Sequence, residues 1–341
     1  MGRWWAGELG GFGRILHLLT WPAEALFRGG VRIRNWAFDR GLRGEVHASI
    51  PVVSIGNVLV GGTGKTPVSA WIVGRLRAQG RRPALVTRGY GNDEVALHGR
   101  WNPDVPVITA ARRVDGVLEA VRGGADVAVL DDGFQHRALA RDLDIVLLPA
   151  EGPIRGRLLP RGPFRESPRA LRRADIVVVT QRTATDAEAR EVAEEARMLA
   201  PGALVARISL EPADWTDLNG EAASPPEGAE VLAVSSVARP ELFRTLVEAR
   251  VDGRVELMAF GDHHDYDAVD ARRIAEKAGR RPVVTTEKDA VKLLPYRLEL
   301  RNLRVLPLRM KPDEGADGLE RALGQLTRTD PPEGRAHGRW K

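Results

Sequence analysis

Lys65 and Thr66 close a glycine-rich stretch, Gly61, Gly62, Thr63, Gly64, and the pair has a specific chemical use. An ammonium at this position can reach the β- and γ-phosphates of a nucleotide, and the neighbouring hydroxyl can bind Mg²⁺. Glycines let backbone N–H groups turn toward phosphate oxygens without a Cβ clash. The strict motif has a further glycine five residues before Gly64, where this chain has Leu59. A second constellation is Asp131 and Asp132 at the end of the apolar run 127–130, with Gln135 and His136 close behind. A nucleotide-binding enzyme needs such an acid at a strand end to hold Mg²⁺ or its water shell. Arg88 and Tyr90 follow the apolar run 84–87: Arg88 could meet a phosphate or simply be solvated, and Tyr90 could stack or hydrogen-bond. Asp93 and Glu94 come next, and a carboxylate there could take a proton from a hydroxyl or be an ordinary surface acid.

The segment 260–266 brings Asp262, His263, His264 and Asp265 together. A closed zinc site is a poor reading in a chain with no cysteine and seven histidines. A histidine beside a carboxylate can instead orient it and tune its basicity. Thr285, Thr286, Glu287, Lys288 and Asp289 sit at another strand end. Lys288 and Asp289 are adjacent, so this is not the guanine-reading Asn-Lys-x-Asp, which counts against a GTPase.

The elements that must position these residues follow from periodicity. An apolar run at 52–55, the glycine-rich turn, and Val68, Ile72, Val73 and Leu76 at helical spacing read as strand, phosphate loop and helix. The helix N-terminus adds partial positive charge at the phosphate. Further strands are expected at 84–87, 105–109, 127–130, 145–148, 176–180 and 204–208, alternating with helices such as 183–199. That alternation predicts an α/β parallel sheet covered on both faces. Residues 211–229, with Pro212, Pro225, Pro226 and Gly228, read as a connector. A second, smaller α/β lobe is expected over 230–326, with strands at 231–235, 255–260, 282–286 and 303–308 and helices at 240–249 and 267–278. The organisation is then a segment 1–48, a core 49–210, the connector, the smaller lobe and a polar tail 327–341 of disordered composition.

Residues 1–48 stand apart. Trp4, Trp5, Phe12, Ile15, Leu16, Leu19, Trp21, Leu26, Phe27 and Trp36 are interspersed with arginines, and Pro22 kinks or restarts the helical stripe. The pattern fits an amphipathic helix lying in a membrane interface, and equally a helix packed on its own domain. No apolar run is long enough to span a bilayer, and charged residues interrupt any signal-like segment. The net charge of +5 over 341 residues favours anionic partners: nucleotides, phosphorylated substrates, acidic lipid surfaces. No nucleic-acid-binding module is visible.

In order along the chain, these motifs resemble one family, the tetraacyldisaccharide 4′-kinases (lipid A 4′-kinases). The likeness rests on the Trp-rich start, VSIGN…VGGTGKTP, TRGYG, Asp93-Glu94, DDGFQH, the GPFRE of residues 162–166, FGDHHDY and TTEKDAVKL. It implies two α/β/α lobes around a cleft, with a core like that of P-loop NTPases. The implied activity is ATP-dependent phosphorylation of the 4′-hydroxyl of tetraacyldisaccharide 1-phosphate, a step of lipid A biosynthesis giving lipid IVA. The implied location is peripheral, at the cytoplasmic face of the bacterial inner membrane, and no protein partner is implied. By motif, Lys65 and Thr66 would hold the triphosphate and Mg²⁺, and Asp131 and Asp132 would supply the metal-side carboxylates. Asp93 would be the base and His263 its partner from the second lobe. Glu94, Arg113, Gln135, His136 and Glu166 match further positions around the transferring phosphate, and Arg88 and Tyr90 positions lining the cleft. Val95 departs from the family's usual proline, and residues 235–240 replace a more glycine-rich turn. Two rival readings are a soluble P-loop kinase or ATPase with a small polar substrate, and a non-catalytic ATP-gated membrane adaptor.

Overall fold

A strand buried on both faces reads as a mostly apolar run, and the first strand, β1 (Val52–Asn57), is buried throughout, Ser54 and Asn57 included. The structure, a computed structural model, describes residues 19–89 and 92–326. Tyr90, the start of the tryptophan-rich segment and the tail 327–341 lie outside them.

After β1 come α2 (Lys65–Ala78), β2 (Pro83–Thr87), α3 (Asn92–Trp101), β3 (Val107–Thr109), α4 (Arg113–Arg122), β4 (Val127–Asp131), β5 (Leu143–Pro149), β6 (Ile176–Gln181), α5 (Asp186–Leu199) and β7 (Leu204–Pro212); α1 (Trp21–Asp39) precedes them. The smaller lobe runs β8 (Glu230–Ser235), α6 (Pro240–Glu248), β9 (Arg254–Ala259), α7 (Ala268–Ala278), β10 (Val283–Thr286), α8 (Glu287–Leu293) and β11 (Leu303–Leu306). The chain then returns to the core as β12 (Leu308–Pro312) and α9 (Ala316–Gly324).

The large sheet has the order β12-β7-β6-β5-β1-β4-β2-β3, parallel except for β12 against β7. Alternate side chains feed two layers. Val53, Ile55, Ile145 and Leu147 pack with Ile72 and Leu76 of α2 and Leu319 and Leu323 of α9. Opposite them, Val146, Leu148, Val177 and Val179 meet the alanine face of α5, and Val52, Ala128 and Leu130 meet Val114 and Val117 of α4. Each large apolar side chain buried this way is worth about 1.5–3 kcal/mol. The second sheet, β11-β10-β8-β9, is parallel and likewise covered on both faces, by α7 and α8 and by α6.

Two boundaries differ from the expectation. The apolar run 303–308 is two strands in different sheets, because Pro307 cannot donate to a ladder. Residues 308–324, grouped above with the smaller lobe, therefore belong to the core sheet. The connector also contributes to the smaller lobe, since Trp215 and Leu218 are buried in its two cores.

α1 meets the core through a mixed polar and apolar side. Pro22 sits in its first turn, where its missing N–H costs nothing. Its inner side carries Glu24, Arg34 and Asn35 together with Phe27 and Phe38. Glu24 accepts from Leu158 N at 3.2 Å and Arg161 Nη1 at 2.9 Å. Arg34 and Asn35 donate to Glu166 at 3.1 and 2.7 Å. Leu19, Trp21, Leu26, Ile33 and Trp36 are exposed. Among the described residues no helix is long and apolar enough to cross a membrane.

Candidate active site

The C-terminal ends of β1, β4 and β2 lie side by side, and the loops leaving them form one wall of a cleft of about 380 Å³. Register aligns them: Ile55 pairs with Asp131, and Val86 with Leu130. Ligands of open parallel sheets bind at such strand ends.

The loop after β1 turns at Gly61 (φ 91°) and Gly64 (φ 86°), both left-handed. A Cβ at Gly64 would lie 2.7 Å from Leu210 Cδ1. Asn57 Nδ2 donates to Thr63 Oγ1 at 2.7 Å, and Thr180 Oγ1 and Arg182 Nη1 donate to the Thr63 and Gly62 carbonyls. With those carbonyls turned outward, Lys65 and Thr66 open α2 at the cleft.

Asp131 is 3% exposed. Ser69 Oγ on α2 donates to its Oδ1 at 3.3 Å, and His98 Nε2 on α3 lies 3.4 Å from its Oδ2. Arg113 Nη2 donates to its carbonyl at 3.0 Å. Asp132 adopts φ 58°, a left-handed conformation uncommon for a side-chain-bearing residue. Its carboxylate accepts from Arg165 Nη1 at 2.8 Å and lies 3.6 Å from Lys65 Nζ. Burial works to raise the Asp132 pKa, but Lys65 and Arg165 outweigh it and hold the group below its usual value. Arg165 reaches it because residues 163–165 run along the phosphate loop, with Val60 N donating to Pro163 O and Arg165 N to Val58 O.

The opposite wall comes from the smaller lobe. His263, at φ 59°, lines the cleft with Asp262 and Lys288. His263 Nδ1 is 3.9 Å from Asp93 Oδ2. Asp93 lies in the first turn of α3 and is buried; Glu94 beside it lines the cleft and accepts from Lys288 Nζ at 3.0 Å. Burial opposes the Lys288 charge, yet Glu94 and Asp93 raise its pKa. The lobes also meet where Trp101 Nε1 donates to Glu287 Oε1 at 2.9 Å and Arg239 Nη1 to Glu151 O at 3.0 Å.

The structure thus gathers Gly61, Gly62, Thr63, Gly64, Lys65, Thr66, Arg88, Glu94, Arg113, Asp131, Asp132 and His263 around one cleft, with Asp93 just beneath its surface. Gln135 and His136 stand behind that wall. Gln135 Nε2 donates to Asn57 O at 2.8 Å. His136 is pushed down to about 4 by burial and by Arg113. Glu166 is not on the cleft wall: it is 1% exposed and bonded to Arg34, Asn35 and Arg173. Burial alone would raise its pKa, but Arg173 and Asn35 lower it. Sequence reasoning passed over Ser69 and His98 on Asp131, Arg165 on Asp132, and Lys288 and Lys292 on Asp93. Arg165 and both lysines lie within quoted motifs, but nothing in the linear pattern tells which carboxylate each meets.

Comparison with known proteins agrees with this architecture. The family pattern described as Tetraacyldisaccharide-1-P 4′-kinase matches residues 16–100 and 92–328. The chain is 41% identical over 356 residues to a tetraacyldisaccharide 4′-kinase of Anaeromyxobacter sp. (strain Fw109-5), covering 94% of each. It is 38% identical over 316 residues to one from Syntrophus aciditrophicus, covering 82% of this chain and 84% of that one. Among solved structures, "apo" form LpxK from Aquifex aeolicus in complex with ATP superposes with a TM-score of 0.71 at 27% identity, covering 90% of this chain and 98% of that one. A phosphate loop, an acidic strand end and a histidine-bearing second lobe, matched over nearly the whole length, place this chain in the tetraacyldisaccharide 4′-kinase family.

Proposed function

We propose that the chain transfers the γ-phosphoryl group of ATP to the 4′-hydroxyl of tetraacyldisaccharide 1-phosphate. The observation that carries this reading is the cleft itself, with Lys65, Asp131 and Asp132 on one wall and His263 and Lys288 on the other, closing over Asp93. Phosphoryl transfer asks a protein mainly for positioning and charge stabilisation. Lys65 and the α2 N-terminus receive the phosphates. Asp132 holds Lys65 in place through its own pairing, while Arg88 and Arg113 face the charge that spreads on the transferring group. Asp93 accepts the proton of the acceptor hydroxyl, and His263 orients it. Thr66, Asp131 and Asp132 fit Mg²⁺: a hard cation takes oxygen ligands, and these three offer hydroxyl and carboxylate oxygens at one end of the cleft. Mg²⁺ bound with the nucleotide supplies neutralisation of phosphate charge; Thr66 and the two aspartates would hold it.

The outward-facing Leu19, Trp21, Leu26, Ile33 and Trp36 support attachment of α1 to the cytoplasmic face of a membrane. The acceptor's acyl chains then stay in the bilayer while its sugar reaches the cleft.

The test incubates the protein with γ-labelled ATP and tetraacyldisaccharide 1-phosphate and follows label onto the lipid. Asp93→Ala lowers transfer by about 10²–10⁴-fold and leaves nucleotide binding intact; full activity in that variant refutes the base. Turnover on a small polar acceptor with none on the lipid refutes the substrate. Removing residues 1–30 frees the protein from vesicles, and unchanged co-sedimentation refutes the attachment.

A further inference from the structure

Among the described residues, what faces the Asp93 carboxylate from outside its own helix comes from the smaller lobe. Asp93 Oδ1 accepts from Glu94 N at 3.0 Å. Asp93 Oδ2 is buried and accepts no aligned hydrogen bond from the described residues. What surrounds it is two ammonium groups, Lys292 Nζ at 3.3 Å and Lys288 Nζ at 3.6 Å, with the ring nitrogen His263 Nδ1 at 3.9 Å. Lys288 is divided between Glu94 and His263. Lys292 is not divided among carboxylates. It donates to Ser236 Oγ at 3.1 Å and to the His264 carbonyl at 2.9 Å, and its remaining side faces Asp93.

What holds Lys292 is a second carboxylate that never meets it. Asp289 is fully buried and accepts from Ser236 N at 3.0 Å, Ser236 Oγ, Thr286 Oγ1 at 2.8 Å and Tyr266 OH at 3.2 Å. Because the Ser236 hydroxyl gives its hydrogen to Asp289, its lone pairs turn to Lys292. Donor and acceptor directions along Asp289, Ser236, Lys292 and Asp93 are therefore fixed from one buried end.

We propose that Lys292, oriented by Asp289 through Ser236, is the positioning residue that fixes Asp93 for proton transfer. It aims an ammonium at Oδ2 without consuming an aligned lone pair, so the oxygen keeps acceptor capacity for the substrate hydroxyl. Because Lys292 belongs to the smaller lobe, Asp93 is positioned only while the two lobes are in contact. The inference rests on the assignment of Asp93 as base.

The experiment uses the full chain with ATP and tetraacyldisaccharide 1-phosphate in mixed micelles, comparing Lys292→Met, Ser236→Ala, Asp93→Asn and the Lys292→Met/Asp93→Asn pair. Lys292→Met lowers kcat by about twentyfold or more while KM for ATP stays within about twofold. Ser236→Ala shifts kcat in the same direction and serves as the readout if Lys292→Met does not fold. In the Asp93→Asn background, Lys292→Met adds less than about threefold to the loss of residual turnover, because both act through one carboxylate. A kcat within about twofold of the parent in the folded variant, a rise in KM for ATP matching the kcat loss, or multiplicative losses in the pair each overturn the proposal. Wild-type turnover in Asp93→Asn overturns the base assignment itself, whereas a slow Asp93→Asn beside a normal Lys292→Met overturns only the role of Lys292.

Discussion

Asp132 and His263 face each other's lobe across the cleft, and both hold positive φ. Such conformations cost of order 1–3 kcal/mol and persist where surrounding contacts impose them. At Asp132 the imposing contacts are Arg165 and Lys65; at His263 they include its N–H bond to Ser236 O at 3.1 Å. Gly64 has no such latitude, since a methyl group there meets Leu210. Gly64→Ala is expected to weaken ATP binding at least tenfold, on the order of 1.4 kcal/mol, in an equilibrium titration. His136 gives a pH signature. Its folded pKa of about 4 lies below the ordinary histidine value of 6.5, so the unfolded chain binds the extra proton first. Stability therefore falls as pH drops from 6.5 toward 4 and is independent of this group above that window. His136→Gln should flatten that part of the urea-midpoint profile, and an unchanged slope would refute the assignment. Lys65, Thr66 and Asp131 were legible in the sequence because each sits at a junction that local pattern reveals. Lys292 was not, because its partner Asp93 is far away in the chain and only the fold brings them together.

At the scale of elements, α1 shows what periodicity leaves open. A stripe of apolar residues says that a helix has two sides but not which side faces the protein. Here the inward side is mixed, with Glu24, Arg34 and Asn35 making hydrogen bonds beside Phe27 and Phe38, while Trp21, Leu26, Ile33 and Trp36 face outward. Removing one partner of a buried ion pair leaves the other uncompensated. Glu166→Ala is expected to cost about 3–5 kcal/mol in denaturant unfolding, with Arg34 and Arg173 stranded. A loss within experimental error would show that α1 is held elsewhere. The strand pattern was legible for β4, β5 and β6, whose apolar runs are unbroken, and for β1, where only Ser54 interrupts the run. It failed at residues 303–308 because one proline divides a run that composition alone joins. α3 has no expected range of its own, since its apolar positions are too few to show a helical period.

For the whole molecule, the decisive contacts are those between the lobes. Glu287 accepts from Trp101 on α3 and from Arg309 Nη1 on β12, the latter at 2.8 Å, so one carboxylate ties α8 to two elements of the core. Closure excludes water from a phosphoryl group that would otherwise be hydrolysed. Glu287→Ala should therefore raise phosphate release in the absence of lipid by about severalfold relative to transfer. Equal ratios in the variant and the parent would separate these contacts from water exclusion.

The return of the chain as β12 has its own consequence. Pro212 pairs with Leu308, and Ala213 N donates to Pro307 O, so the strands that leave and rejoin the large sheet are hydrogen-bonded neighbours. Topologically, residues 213–307 are the loop of one antiparallel hairpin. A module spliced into a hairpin has both tethers at a single pivot. It can rock about that point but cannot translate away, which suits a shutter better than a detachable arm. It could equally have been acquired without rethreading a single core strand, so replacing it with a short turn should leave a folded nucleotide-binding remnant unable to use lipid.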